Sequence, residues 1–320
     1  MMDFVITWVD GGEAAHRAKM QPYLSAEDAA RSDIAGPERL LQRGEIRWCV
    51  ASVLRFAASF VRKVFIVTDG QDPQLEGFLR KNFPESASKV ETVDHSVIFR
   101  GYEEYLPVFN SIAIETMLFR IPGLSDHFVY MNDDVILTAP LTEEDFIADG
   151  KTIAYTQRQS VLQGRMAHFF RPRVDGHKVL TFRDTLRTAA TVLGTGHFQR
   201  TPHIAFCYRR AWFEEFFAAR PEVLVSNISH RFRSPGQVNL AALYYTATVD
   251  SGESVMRSAA GKKFYMRSSW KSSAYPARKL RELDSNPNLK VACFGALYKL
   301  PEDDFARYKE WLDRHLGVSD

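Results

Sequence analysis

The chain opens on a short unbroken apolar run, Phe4-Val-Ile-Thr-Trp-Val9, rich in β-branched and aromatic residues and closed by Asp10-Gly11-Gly12. Its length and flanks predict a buried strand feeding a turn. Residues 45–58 place Ile46, Val50, Val53, Leu54 and Ala57 near helical spacing, and Val64-Phe-Ile-Val-Thr68 then repeats the strand, followed by Asp69-Gly70. A helix is predicted from about residue 111 to 120, stopping before Pro122-Gly123. A third strand, His127-Phe-Val-Tyr-Met131, runs into Asn132-Asp133-Asp134, with a short strand at 135–137 behind it. Strands alternating with helices predict a largely parallel α/β sheet flanked by helices. After about residue 150 the pattern turns helical: 181–193 with Gly194 as its stop, 209–219 before Pro221, 238–246, and 302–316 before Gly317. The expected organisation is an α/β lobe at 1–150 and a more helical lobe at 151–320 completing the same domain. No internal repeat, low-complexity tract or Pro/Gly/Ser linker marks two independent units.

Composition changes this picture little. Of 320 residues, 45% are hydrophobic and 25% charged, enough apolar material for a sizeable core. The formal charge of +2 gives neither a nucleic-acid-binding balance nor an acidic tail, so no nucleic acid partner is expected. Cys49, Cys207 and Cys293 are odd in number, far apart and without a C-x-x-C pair, which reads as a reducing, cytoplasmic setting. Asp3 and Asp10 bracket the first apolar run and no basic leader or cleavage site accompanies it, so it reads as a strand and not as a signal peptide. No stretch of about 18 apolar residues predicts a membrane span. Membrane contact, if any, is expected to be peripheral.

Three predicted strands end in carboxylates beside glycine or asparagine, and ligands of open α/β sheets bind beyond such ends. Asp10, next to two glycines, suits contact with a nucleotide or a metal; a plain Asp-Gly turn is the alternative. In Asn132-Asp133-Asp134 adjacent carboxylates repel each other unless a cation or an arginine compensates them, and such hard oxygen ligands suit Mg²⁺ or Mn²⁺ bridging a diphosphate. A solvated turn is the alternative there. His197 and His203 lie in a loop, as metal ligands, a general base, or surface and capping residues. Arg233 offers a planar guanidinium of the kind phosphoryl transfer uses. Glu115, read with Asn110 and Ser111 at its helix start, either lines a sugar pocket or faces solvent. Cys293 reads as a packing residue and not a nucleophile. Residues 255–281 carry Arg257, Lys262, Lys263, Arg267, Lys271, Arg278, Lys279 and Arg281 without an acid, interleaved with aromatics. That stretch suits a polyanionic glycan, a lipid headgroup surface or RNA, or is simply a solvated surface.

The segment Thr7-Trp8-Val9-Asp10-Gly11 resembles the first conserved region of the Stealth family, which includes bacterial capsular polysaccharide phosphotransferases and the lysosomal-targeting N-acetylglucosamine-1-phosphotransferase. The second region of that family is matched more specifically. Its residues here are Glu45-Ile-Arg47, Val61-Arg-Lys-Val-Phe-Ile-Val-Thr-Asp-Gly-Gln71, Leu106-Pro107, Asn110-Ser111, Ala113-Ile-Glu115, Arg120-Ile-Pro-Gly-Leu-Ser-Asp126 and Tyr130-Met-Asn-Asp-Asp-Val135. Pro202-His203, Arg233 and Gln237-Val-Asn239 resemble the third region. There are two departures. Ala51 stands where the family often has arginine, and Ala292-Cys293-Phe294-Gly295-Ala296 lacks the polar Asn-Asp pair usual in the fourth region.

The resemblance implies a Rossmann-like, nucleotide-sugar-transferase-type fold and transfer of a hexose or N-acetylhexosamine 1-phosphate from a UDP-sugar to a carbohydrate hydroxyl. UMP would be released, in capsular or exopolysaccharide synthesis. It implies Mg²⁺ or Mn²⁺ held by Asp133, with Asp10 or Asp134 helping, charge stabilisation by Arg233 and proton transfer by His203. Trp8, Gly11, Glu45, Arg47, Asp69, Gln71, Asn110, Ser111, Glu115 and Asn132 would bind substrate. The partners expected are the UDP-sugar donor and a polysaccharide acceptor, with peripheral association at the inner membrane face or a capsule-assembly complex. Two rivals share these residues: a metal-dependent glycosyltransferase releasing UDP, and a non-catalytic carbohydrate- or nucleotide-binding protein.

Overall fold

The computed structural model describes residues 1–25, 41–162, 182–234, 236–259, 263–267, 275–295 and 297–320. In chain order the strands among them are β1 (Met2–Thr7), β2 (Val61–Thr68), β3 (Val90–Asp94), β4 (His127–Asn132), β5 (Val135–Leu137), β6 (Ile147–Ala148), β7 (Lys151–Tyr155), β8 (Gln157–Ser160), β9 (His197–Arg200), β10 (Phe206–Arg209), β11 (Ser254–Arg257), β12 (Lys263–Arg267) and β13 (Val291–Gly295). The central sheet has the order β10-β4-β1-β2-β3. Its β1–β2, β1–β4 and β2–β3 pairs are parallel, and β10 closes the edge antiparallel to β4. The α/β fold with a parallel-rich sheet is the one expected.

The unbroken apolar runs have a simple cause: each central strand is covered on both faces, and period-two alternation sends neighbouring side chains to different cores. Phe4 and Ile6 of β1, Val64 and Ile66 of β2, and Val129 and Met131 of β4 belong to one core. Val5, Phe65, Val67, Phe128 and Tyr130 point the other way into a second. Each fully buried side chain of this size stabilises the fold by about 1.5–3 kcal/mol relative to exposure. The helix Glu45–Phe56 packs on the first core, where Trp48 Nε1 donates to Asp313 Oδ1 at 2.7 Å, tying it to the helix Glu302–Leu316. The helix Ser111–Met117 and the helix Leu240–Asp250 pack on the second. Residues on both sides of position 150 therefore build both cores.

Chain position and packing diverge from the expected elements in a few places. β1 starts at Met2, because the fully buried Asp3 accepts from Ser125 N (2.7 Å) and pairs with Arg62. The helix predicted from residue 238 begins at Leu240, since the Asn239 side chain caps it by accepting from Ala242 N at 2.9 Å. β3 was not anticipated: Glu91 and Thr92 are exposed, as befits a strand on the sheet edge. The second half also contains short strands beside its helices; β12 and β13 pair in parallel, and β13 pairs antiparallel with β5.

The order of connections positions the site. From β1 the chain crosses to β2 on one side and later to β4 on the other, so β1 is the topological switch point and its carboxyl end opens a crevice.

Candidate active site

A cleft of about 690 Å³ occupies that crevice, floored by Thr7 at the end of β1, Trp8 and Val9 beyond it, Val67 of β2, and Tyr130 and Asn132 of β4. Asp133 and Asp134 follow directly at the turn into β5 and line the same cleft. So do Glu45, Asn110, Ser111, Glu115, His203 and Arg233. Residues more than 190 positions apart in sequence thus meet in one cavity.

The two aspartates are held in different ways. Asp133 Oδ2 accepts from Gln42 Nε2 at 2.8 Å, and that amide also donates to Val9 O at 3.0 Å while its Oε1 accepts from Trp8 Nε1 at 3.1 Å. Burial, with the neighbouring Asp134 charge, raises the Asp133 carboxyl to about 7. Asp134 Oδ1 lies 3.0 Å from His203 Nε2, and Cys293 Sγ lies 3.4 Å from Asp134 Oδ2. Burial opposes ionisation of Asp134, but the His203 charge and hydrogen bonds outweigh it and hold the carboxyl below its usual range. Burial likewise opposes charge on His203, and the Asp134 carboxylate reverses that, raising the imidazole above its ordinary value. The pair lies open to the cleft.

Opposite them, Arg233 Nη2 donates to Ser111 Oγ at 2.9 Å. Glu115 lies deep in the same wall, where burial raises its carboxyl against the pull of Arg233. The Tyr130 hydroxyl donates to Asn132 Oδ1 at 2.8 Å. Asn110, fully buried, caps the helix Ser111–Met117 by accepting from Ile112 N at 3.1 Å. Its amide donates to Phe232 O at 3.1 Å and Gln237 Oε1 at 2.9 Å, fixing the loop that carries Arg233. Glu45 Oε2 accepts from Arg43 N at 2.6 Å; burial raises its carboxyl.

Asp10, Gly11, Arg47, Asp69 and Gln71 are not among the residues lining the cleft. Asp10 Oδ1 accepts from Gly12 N at 2.8 Å, capping the turn after β1 that contains Gly11, and the Gln71 amide clasps both the N–H and C=O of Asp10 at 2.9 Å. Arg47 pairs with Asp320 and lies over the Phe78 ring at 4.7 Å. Asp69 accepts from Lys19 Nζ at 2.9 Å and contacts His16 Nδ1 at 3.1 Å, behind His16 and His95, which do line the cleft. His197 bridges Arg158 and Asp250 at 3.0 Å each, on the β8–β9 pair. In the basic stretch, Lys262 and Lys271 lie outside the described residues, as does Ala296. Gln42, His16 and His95 were not singled out from the sequence; a glutamine or histidine in a loop has no period or spacing that marks it.

The donor set bears on metal binding. Asp133 and Asp134 place two half-buried carboxylates side by side, and desolvation together with their repulsion raises the Asp133 carboxyl, a penalty that a hard divalent cation relieves. These residues fit Mg²⁺ or Mn²⁺.

Comparisons with known proteins agree with this architecture. Models of Stealth protein conserved region 1 and conserved region 2 match residues 2–28 and 39–155. The chain is 33% identical over 256 residues to an exopolysaccharide phosphotransferase of Streptomyces coelicolor, covering 79% of this chain and 41% of that one. It is 39% identical over 148 residues to a receptor polysaccharide phosphotransferase of Streptococcus oralis, covering 46% and 42%. It is 28% identical over 291 residues to a capsular polysaccharide phosphotransferase of Haemophilus influenzae, covering 90% and 75%. The first two of these relatives are thus more than twice as long as the stretch they share with this chain. In fold it is similar to the apo structure of the bifunctional glycosyltransferase WbbM, with a TM-score of 0.51 and 12% identity over 98% of this chain and 51% of that one.

Proposed function

Because this chain belongs to the Stealth family, we propose that it transfers a sugar 1-phosphate from a UDP-sugar to a hydroxyl of a polysaccharide. The observation that carries this reading is the convergence of Asp133, Asp134, His203 and Arg233 on one cleft at the sheet's switch point. The names of the relatives, all polysaccharide phosphotransferases, support the reaction class.

Asp133 and Asp134 hold the divalent ion, Mg²⁺ or Mn²⁺, whose chemistry when bound is to neutralise the donor's diphosphate. Arg233, steadied by Ser111 and by the Asn110-anchored loop, meets the phosphoryl oxygens as charge shifts during transfer. His203 in its neutral form takes the proton of the acceptor hydroxyl, and its contact with Asp134 fixes the ring in the cleft. The acceptor oxygen forms a bond to the phosphorus bearing the sugar, the bond from that phosphorus to the bridging oxygen breaks, and UMP leaves. Glu115 and Asn132 face the donor sugar, and Trp8 walls the nucleotide side. Asp10 and Gln71 shape the turn that presents Trp8. No described helix is long and apolar enough to cross a membrane; the acceptor is met at the inner membrane face through peripheral contact.

The test is to supply the purified chain with UDP-hexose or UDP-N-acetylhexosamine donors, Mn²⁺ and capsular oligosaccharide acceptors, and to identify the nucleotide released. UMP matching the phosphodiester formed supports the reading. Stoichiometric UDP with a plain glycoside overturns it in favour of glycosyl transfer.

A further inference from the structure

Cys293 takes no part in the reaction described above, yet its thiol stands at the active-site aspartate. β13 runs antiparallel to β5, with Cys293 opposite Val135 and Phe294 N donating to Asp134 O at 2.8 Å. This register sets Sγ 3.4 Å from Asp134 Oδ2, while His203 Nε2 stands 3.0 Å from the other oxygen. The sulfur, the imidazole nitrogen and a carboxylate oxygen all lie within 4.8 Å of one another.

We propose that Asp134, His203 and Cys293 form a second cation site, selective for a borderline-soft divalent ion of the zinc class, and that its occupation switches the enzyme off. Zinc bonds of about 2.0–2.3 Å to oxygen, nitrogen and sulfur give tetrahedral edges of roughly 3.3–3.8 Å. The two contacts run to different oxygens of Asp134, and one oxygen, the sulfur and the nitrogen lie within 4.8 Å of one another, so side-chain rotations that draw them together close the site. Asp134 and His203 line the cleft, which leaves the fourth position to water. Magnesium demands oxygen ligands in octahedral array and is poorly served by a thiol and an imidazole; Asp133 with Asp134 serves it better. The thiol, and the His203 imidazole where it is protonated, lose their protons to solvent as the sulfur–metal and nitrogen–metal bonds form, so His203 binds through Nε2 as neutral imidazole.

Sharing Asp134 and occupying Nε2 makes the two cation sites mutually exclusive. The inhibitory consequence rests on the role proposed for His203; the binding site does not.

The probe is Co²⁺, titrated into the purified, reduced full chain and followed by absorption. We expect one equivalent to produce a thiolate-to-cobalt charge-transfer band in the near ultraviolet with intense tetrahedral bands in the visible. Zn²⁺ should erase both at about one equivalent, and Mg²⁺ should weaken them only at large molar excess. Cys293→Ser should lose the charge-transfer band, keep Mg²⁺-supported transfer within a few-fold, and become resistant to micromolar Zn²⁺ that blocks the wild type. Absence of a thiolate band in folded wild-type protein overturns the proposal whatever the variant does. So does a band that survives in folded Cys293→Ser, which would place the sulfur ligand elsewhere. A thiolate band without zinc inhibition keeps the site but removes the switch, and faults the role given to His203.

Discussion

Two strand ends near the cleft are built on the same motif and come out opposite. Asp69 directly follows β2 and Asp133 directly follows β4, each a carboxylate after a buried apolar strand. Around Asp69 the protein supplies the counter-charge: burial favours the neutral acid, but hydrogen bonds from His16 and Lys19 bring the carboxyl below its ordinary value. His95 itself is fully buried and burial lowers it to about 4, so it stays neutral there. The charges that raise Asp133, those of Asp134 and Glu45, are both of its own sign, and among the described residues the side chain that donates to it is the neutral Gln42 amide. A carboxylate whose charge the protein has met is scaffold. One whose charge is left unmet in a cleft is set for a cationic ligand.

The largest expected effect follows at once. Asp133→Asn removes the proposed cation ligand without disturbing a core, so turnover with Mn²⁺ should fall by about 10²–10³-fold, while the melting profile stays cooperative. Asp69→Asn should do the reverse, costing about 1–3 kcal/mol of stability by stranding His16 and Lys19, with a far smaller loss of turnover in the surviving folded protein. Denaturant titration beside initial rates measures both. Equal losses of turnover in the two variants would erase the distinction.

Arg233→Lys keeps the charge and loses the fork, so kcat should drop by about 10–100-fold with little change in donor KM. Asn110→Ala tests the loop that carries it. The buried Asn110 amide holds that loop through two carbonyls and Gln237, so its loss should cost about 1–3 kcal/mol of stability and lower kcat less than Arg233→Lys does.

The pH dependence sharpens the contrast in sign. Asp133 has an ordinary value near 3.8 and rises to about 7 in the fold, so between those values the folded state holds more protons than the unfolded state. Stability therefore declines as pH climbs from about 4 to about 7, and the penalty is complete above it. Asp133→Asn should raise the metal-free Tm by a few degrees at pH 8 and leave it unchanged near pH 4. Asp69 behaves oppositely. Its lowered carboxyl contributes stability above the ordinary carboxylate range, lost as pH falls through the folded value, so the Asp69→Asn deficit should shrink in acid. A Tm gain for Asp133→Asn that is independent of pH would show that its charge is already compensated.

Much of this was legible in the chain. Both-face burial left unbroken apolar runs at β1, β2 and β4, and the acidic ends of those runs marked the crevice, because strand length and turn residues are local signals. The contrast between Asp69 and Asp133 was not legible: it depends on Gln42, His16, Lys19 and His95, whose partners lie up to 91 positions away. Asp10 and Asp133 read alike as strand-end carboxylates, and only the third dimension shows Asp10 spent on Gly12 and the turn. Short strands after residue 150, four or five residues long with mixed polarity, carry too little period to stand out from loop.

The central claim is that the cation goes to the unmet carboxylate, and Mn²⁺ binding followed by electron paramagnetic resonance in the presence of UDP tests it most directly. Wild type and Asp69→Asn should each take up one ion with similar affinity, and Asp133→Asn should release at least about tenfold more free Mn²⁺ at the same total. Undiminished binding in folded Asp133→Asn, or loss of binding in folded Asp69→Asn, would contradict the account.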